Sequence, residues 1–204
     1  MKKYIGYCIV SIMAMAFTSV AVSGGYPSSK AKLEAEEYEI MSALINEYAG
    51  SDFELLLIND HTESWCIMAR FQEMRSDWVE LESETIDSLI VRNSFSVELE
   101  KKLLLDSKYR LIPRDEYVKI LQGNSGPNWN NFDTLFPDSP GFMTVSRVGF
   151  NSERTQALIY FYNAYRCSGD KVVPSTRNIA MFVKRDGEWA LIGIKRGFRS
   201  VYSD

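Results

Sequence analysis

The chain has 204 residues, a formal net charge of −4 and a single histidine. That length is one ordinary domain with room for a real core, and a mildly acidic chain without a recognised binding motif is a poor partner for nucleic acid. The charge is unevenly spread: Gly24 to Ser139 holds 11 basic against 22 acidic residues, whereas Pro140 to Asp204 holds 10 against 5. Two packed parts with complementary charge would explain the split, and so would a basic face that meets an anionic partner such as membrane headgroups or an acidic protein.

Lys2 and Lys3 give a positive start, Tyr4 to Val22 is a nearly uncharged apolar run, and Ala21-Val22-Ser23 places small residues where a signal peptidase reads. The segment 1–23 therefore reads as a signal peptide cleaved after Ser23, leaving one domain over 24–204 that is periplasmic or secreted and has no stable membrane span. The competing reading is a retained anchor, since an apolar stretch of about 18 residues can span a bilayer. Cys66 and Cys167 remain after cleavage. In an oxidising compartment they either form one disulfide, contributing about 4 to 5 kcal/mol in the chain-entropy model, or stand as two buried thiols.

Within the domain, residues 24–122 read as helix-rich, 123–141 as an ordered loop and 142–204 as a β-meander. Ser28 to Tyr48 has an N-cap serine at Ser28 or Ser29, early acidic residues, and Met41, Leu44, Ile45 and Tyr48 at helical spacing. Phe53 to Thr62 has the length and apolar density of a strand. From Arg70, the stripe Phe71, Met74, Trp78 and Leu81, continued by Thr85 and Leu89, predicts a surface helix, with Ser83 as the possible start of a second one running to Val91. Lys108 to Ile112 looks extended, and Pro113 can open a short helix to Leu121. Gly123 to Gly141 lacks clear periodicity but carries Trp129, Phe132 and Phe136, so it reads as a loop that folds its aromatics under itself or offers them to a ligand.

Four strands follow: Phe142 to Phe150, Arg154 to Tyr162, Asn178 to Arg185 and Glu188 to Arg196. Asp186-Gly187 is a two-residue hairpin signal. Gly149 suits a bulge or a close backbone approach. Leu158, Tyr160 and Tyr162 alternate with Ala157, Ile159 and Phe161, so both faces of that strand are apolar and both require cover.

The runs T-V-S-R-V-G-F-N (Thr144 to Asn151), Q-A-L-I-Y (Gln156 to Tyr160) and K-R-D-G-E-W-A-L (Lys184 to Leu191), with a fainter E-T-I-D-S-L (Glu84 to Leu89), form a pattern. It resembles a group of small exported or lipoprotein-like bacterial proteins sharing an S-R-V-G-F-N strand, an A-L-V-Y-like strand and a D-G-W hairpin. The resemblance covers Tyr109 to Ile194, implies a shared fold and brings no activity with it. The chain departs from the group at Arg166 to Arg177, a longer polar and basic link.

Candidate chemistry is sparse. His61 lies beside Asp60 and Glu63, residues that suit a general base or a metal ligand, but i−1 and i+2 neighbours on a strand do not converge, and no His-Glu-x-x-His spacing supplies a metal cage. No phosphate loop or nucleophile elbow is present, and neither cofactor nor metal is expected. The ligand-binding candidates are Trp129, Phe132 and Phe136 with Arg147 and Tyr160 on bordering strands, a set suited to sugar, peptide or lipid contact. Against these stand a small satellite core for the aromatics and an ion-pair partner on an exposed strand face for Arg147.

The expected architecture is α+β, with N-terminal helices packed on one face of a C-terminal antiparallel β-meander, or a curved-sheet cone of the nuclear-transport-factor type. The expected function is that of an exported non-enzymatic accessory or binding protein engaging a protein or envelope ligand. A small extracytoplasmic hydrolase and an immunity or inhibitor protein are the alternatives.

Overall fold

The computed structural model describes residues 31–49, 54–64, 78–121, 128–167, 171–172 and 176–196. The expected signal peptide, Phe71, Met74 and Cys66 lie outside these residues, as does the Cys167 side chain, and the expected disulfide with them. Among the described residues the fold is α+β. Its elements in chain order are α1 (Ala35–Ala49), β1 (Leu56–Asn59), α2 (Ser83–Arg92), β2 (Tyr109–Ile112), α3 (Arg114–Leu121), α4 (Trp129–Leu135), β3 (Gly141–Val145), β4 (Gly149–Phe150), β5 (Gln156–Cys167), β6 (Lys171–Val172), β7 (Thr176–Arg185) and β8 (Glu188–Arg196).

The strands run in the order β2-β1-β3-β5-β7-β8, with β4 and β6 attached to β5. From β3 onward the pairs are antiparallel, which is the expected meander. β1 extends it by pairing in parallel with both β2 and β3, so the sheet is mixed. The hairpin between β7 and β8 turns on Asp186 and Gly187, at φ 51° and 90°, the paired left-handed geometry of a type I′ turn.

Helices cover both faces, where one covered face was expected. On the first, Ile40, Met41, Leu44 and Ile45 of α1 join Ile58, Met143, Val145, Ile159 and Phe161 in the largest core cluster. On the second, Ile86 and Leu89 of α2 pack with Leu158, Tyr160, Ile179 and Met181, while Tyr117 and Ile120 of α3 and Phe132 of α4 pack with Leu57, Phe142 and Ala164. The doubly apolar β5 demands this arrangement: a strand with hydrophobic side chains on both faces is stable only when both are removed from water.

The helix boundaries differ from the sequence reading for local reasons. α1 starts at Ala35, past the proposed serine caps, because the Glu37 side chain reaches back three residues to accept the Glu34 N–H at 3.0 Å, half of a capping box. Trp78 to Glu82 is not helical; α2 begins at Ser83 behind an extended Glu82 that provides no side-chain cap. The expected loop of 123–141 contains α4, capped by Asn128, whose side-chain oxygen accepts from Asn131 N at 3.2 Å.

Candidate functional site

The run Ser146 to Asn151, read from sequence as part of one strand, breaks the strand between β3 and β4. Three of its backbone donors turn away from the ladder toward side chains: Arg147 N donates to Asn93 Oδ1 at 2.7 Å, Val148 N to Glu37 Oε1 at 3.1 Å and Phe150 N to Ser88 Oγ at 3.1 Å. The Ser146 hydroxyl donates to the Arg147 carbonyl at 2.7 Å and accepts from Tyr160 N at 2.9 Å. Gly149 allows α2 to lie against the backbone, since a Cβ there would stand 2.4 Å from Leu89 N. Asn151 shapes the following turn by accepting from Thr155 N and Gln156 N at 2.8 and 2.9 Å.

Arg147 is 7 % exposed and does not occupy the open strand face expected of it. Its Nε and Nη2 donate to the two Glu37 oxygens at 3.2 and 3.0 Å, and its guanidinium lies 5.9 Å from the Phe95 ring centre. Glu37, fully buried, also meets Arg92 at 2.8 Å. Around this pair the first turn of α1 is tied to the rest of the fold. Glu34 meets Arg92 and Arg154, and Glu36 meets Arg154 at 2.6 Å, Lys184 at 2.7 Å and Trp189 Nε1 at 3.2 Å. Phe150 lies between the guanidiniums of Arg92 and Arg154, 5.6 and 4.8 Å from its ring centre. Each charge has its partner within the chain, so this cluster is a structural lock.

The aromatic candidates on 123–141 are core. Phe132 is fully buried and Phe136 nearly so, and the ring centres of Trp129, Phe136 and Phe142 lie 5.2, 5.7 and 5.8 Å from that of Phe132. Offering Phe132 or Phe136 to a ligand would expose two of the side chains that fasten α4 to the sheet. Tyr160 is buried in the separate cluster under α2, so the five candidates do not form one surface.

His61 stands just beyond β1, half-buried, with Nδ1 2.6 Å from Asp60 Oδ1. The neighbour that sequence spacing separated from the ring is therefore in contact with it, because the chain leaves the strand at this point and His61 makes an isolated bridge to Glu98. Among the described residues no three metal-ligating side chains come together.

A different group of side chains meets on the second face, between the cluster under α2 and the cluster under α3 and α4. Cross-strand register places Thr144, Tyr162 and Arg177 in one row, with Ser146, Tyr160 and Ile179 beside it. Tyr117 reaches down from α3 and accepts a hydrogen bond from the buried Thr144 hydroxyl at 2.9 Å. Glu63 enters from the chain beyond β1, held by its N–H on the Val145 carbonyl at 2.9 Å and by a parallel bridge to Ser146.

Glu63 is half-buried and accepts no side-chain hydrogen bond from the described residues. Burial pushes its carboxyl above the usual carboxylate range, and the positive charges of Arg177 and Arg114 offset only part of that effect. Burial likewise pushes the Tyr117 and Tyr160 phenols up, so both remain protonated donors. The Tyr160 hydroxyl lies close enough to Glu63 to feel its charge, yet no hydrogen bond joins them. The result is a band of carboxyl, phenol and guanidinium groups between two apolar clusters, in which the Glu63 carboxyl accepts no side-chain hydrogen bond from the described residues.

Sequence reasoning identified Tyr160 and passed over Glu63, Tyr117, Tyr162 and Arg177 as members of a site. The nearest signal was the acidic neighbourhood of His61, from which the fold selects Glu63 alone for the band. No family model, curated protein or solved structure matches the chain.

Proposed function

We propose that the chain is an exported binding protein that seats a small polar molecule on the band formed by Glu63, Tyr117, Tyr160, Tyr162 and Arg177. The signal-like N-terminus supports export. The carrying observation is Glu63, a half-buried carboxyl without a hydrogen-bond partner among the described residues. Buried polar groups are normally satisfied, and a solvent-reachable one left open beside aromatic side chains fits a ligand site. This reading replaces the aromatic surface of 123–141 as the contact region while keeping the binding role.

The test is native mass spectrometry of protein recovered from its own compartment, wild type beside Glu63→Gln and Tyr160→Phe. A co-purifying small molecule on wild type, reduced on both variants, supports the reading. Equal occupancy on all three removes the band.

A hydrolase reading rests on the 2.6 Å contact between His61 and Asp60, a geometry that orients an imidazole as a general base. Hydrolase screening of wild type beside His61→Ala decides it: activity equal in the two proteins eliminates His61.

A further inference from the structure

The hairpin that closes the sheet carries the only Asp-Gly pair of the chain, and no Asn-Gly pair occurs. Asp186 and Gly187 form its exposed tip, both at positive φ. The strand ladder ends at Arg185 and Glu188, so the Gly187 N–H lies beyond it. A Cβ added at Gly187 would meet nothing within 4 Å, and the Asp186 carboxylate makes no hydrogen bond or ion pair among the described residues. A carboxyl carbon, the amide nitrogen that follows it and the room to bring the two together thus coincide at one point.

We infer that Asp186 is a site of spontaneous isomerisation to isoaspartate, and that the change loosens the hold of the hairpin on the first turn of α1. In the first step the Gly187 nitrogen attacks Cγ of the protonated Asp186 side chain. A C–N bond forms, and the carboxyl hydroxyl leaves with the amide proton as water, closing a succinimide ring. In the second step water adds to the main-chain carbonyl carbon of Asp186 and breaks its bond to the Gly187 nitrogen. The chain then runs through Cγ, and the former main-chain carbonyl becomes a carboxyl group on Cα. One water leaves and one enters, so composition and oxidation state are unchanged.

The structure singles out this position. Glycine leaves the attacking nitrogen unshielded and the backbone free to rotate, whereas Asp87, Asp106 and Asp138 each precede a serine. The turn residue Asn151 has its side chain engaged: Oδ1 accepts from Thr155 N and Gln156 N, and Nδ2 donates to Thr155 Oγ1 at 2.9 Å. Asp186 has no such restraint.

The consequence follows from register. A two-residue hairpin loop of this type requires left-handed geometry at both residues, and isoaspartate inserts an extra main-chain carbon there. The pair next to the turn is Arg185–Glu188, and the one after it is Lys184–Trp189. Lys184 Nζ and Trp189 Nε1 both donate to Oε1 of Glu36, at 2.7 and 3.2 Å. One oxygen serves both donors only while the two residues stand opposite each other. A hairpin that re-closes out of register therefore gives up at least one of these contacts, and Glu36 keeps Arg154 on its other oxygen.

The experiment ages the folded full chain in warm neutral buffer for several weeks, beside Asp186→Glu and Lys184→Met. Peptide mapping with electron-transfer fragmentation locates isoaspartate, and circular dichroism gives Tm before and after. Wild type should accumulate more isoaspartate at Asp186 than at Asp87, Asp106 or Asp138, and the isomerised fraction should melt at least about 2 °C lower. Asp186→Glu, whose longer side chain would have to close a six-membered ring, should show neither change against its own unaged sample. Lys184→Met already lacks one of the two contacts, so it should isomerise at the same position and lose less in Tm. Isoaspartate absent from Asp186, or no more abundant there than at the Asp-Ser positions, overturns the site. Isoaspartate at Asp186 with an unchanged Tm, or with an equal fall in Lys184→Met, overturns its link to α1.

Discussion

Replacing Glu37 by glutamine tests the lock at the start of α1. Glu37 is fully buried and the Arg147 side chain is 9 % exposed, so solvent screens their attraction little. Glu37 accepts from Arg147 Nε and Nη2 and from Val148 N, at 3.2, 3.0 and 3.1 Å. The amide keeps one acceptor oxygen but turns an NH2 group toward a guanidinium and leaves Arg147 without its counter-charge. Breaking a buried pair from one side costs about 3 to 5 kcal/mol. The lower end applies, because Arg92 retains Glu34 at 2.8 Å. About 3 kcal/mol in a domain of this size lowers Tm by about 6 to 12 °C. Thermal and urea unfolding followed by circular dichroism at pH 7 gives the value. The double variant Glu37→Leu with Arg147→Met should lose less than Glu37→Gln alone, since no charge is then stranded. A fall below about 2 °C for Glu37→Gln, or a double variant worse than the single, refutes the assignment of this pair as the anchor.

Burial opposes ionisation of Glu34 and Glu36, but Arg92, Arg154 and Lys184 outweigh it and hold both carboxyls below the usual range. Their contribution is complete above the unfolded value of about 4.3 and is lost as the pH falls through the lower folded values. Tm measured from pH 6 to 3 should drop across that window, and the drop should be shallower in Lys184→Met. Gly149→Ala drives a Cβ to within 2.4 to 2.6 Å of Leu89 on α2 and should cost about 1 to 3 kcal/mol, read by urea unfolding. Glu63→Gln should raise Tm at pH 7, because burial disfavours the charged carboxyl in the folded state. The gain should shrink as acid protonates Glu63 in the wild type.

The meander was readable because its signals are local. Alternation in Ala157 to Tyr162 gives the faces of β5, Asp186-Gly187 gives the last turn, and Gly149 marks the close approach of α2. The interruption at Ser146 to Val148 was not readable, since the acceptors that divert the Arg147 and Val148 N–H groups belong to Asn93 and Glu37. The parallel insertion of β1 between β2 and β3 was equally hidden, because a short apolar strand looks alike in either direction. α4 left a trace in Asn128, three residues before Asn131, that the surrounding glycines and prolines obscured. The band around Glu63 exists only once α3, β5 and β7 are assembled, and no spacing in the sequence encodes it. Arg147 illustrates the converse, a charge that looks available in sequence and is spoken for in the fold.

The closing hairpin has a temporal meaning. Glu36 in the first turn of α1 finds Lys184 and Trp189 at separations of 148 and 153 residues. Contacts so distant along the chain form late and slow folding, because the loop entropy must be surrendered before they contribute. α1, the first helix among the described residues, is therefore among the last elements to be secured. Until β7 and β8 have emerged, Glu36 lacks Lys184 and Trp189 and the apolar stripe of α1 has no complete sheet to cover. The native pairing of α1 is therefore complete only once the C-terminal strands are present.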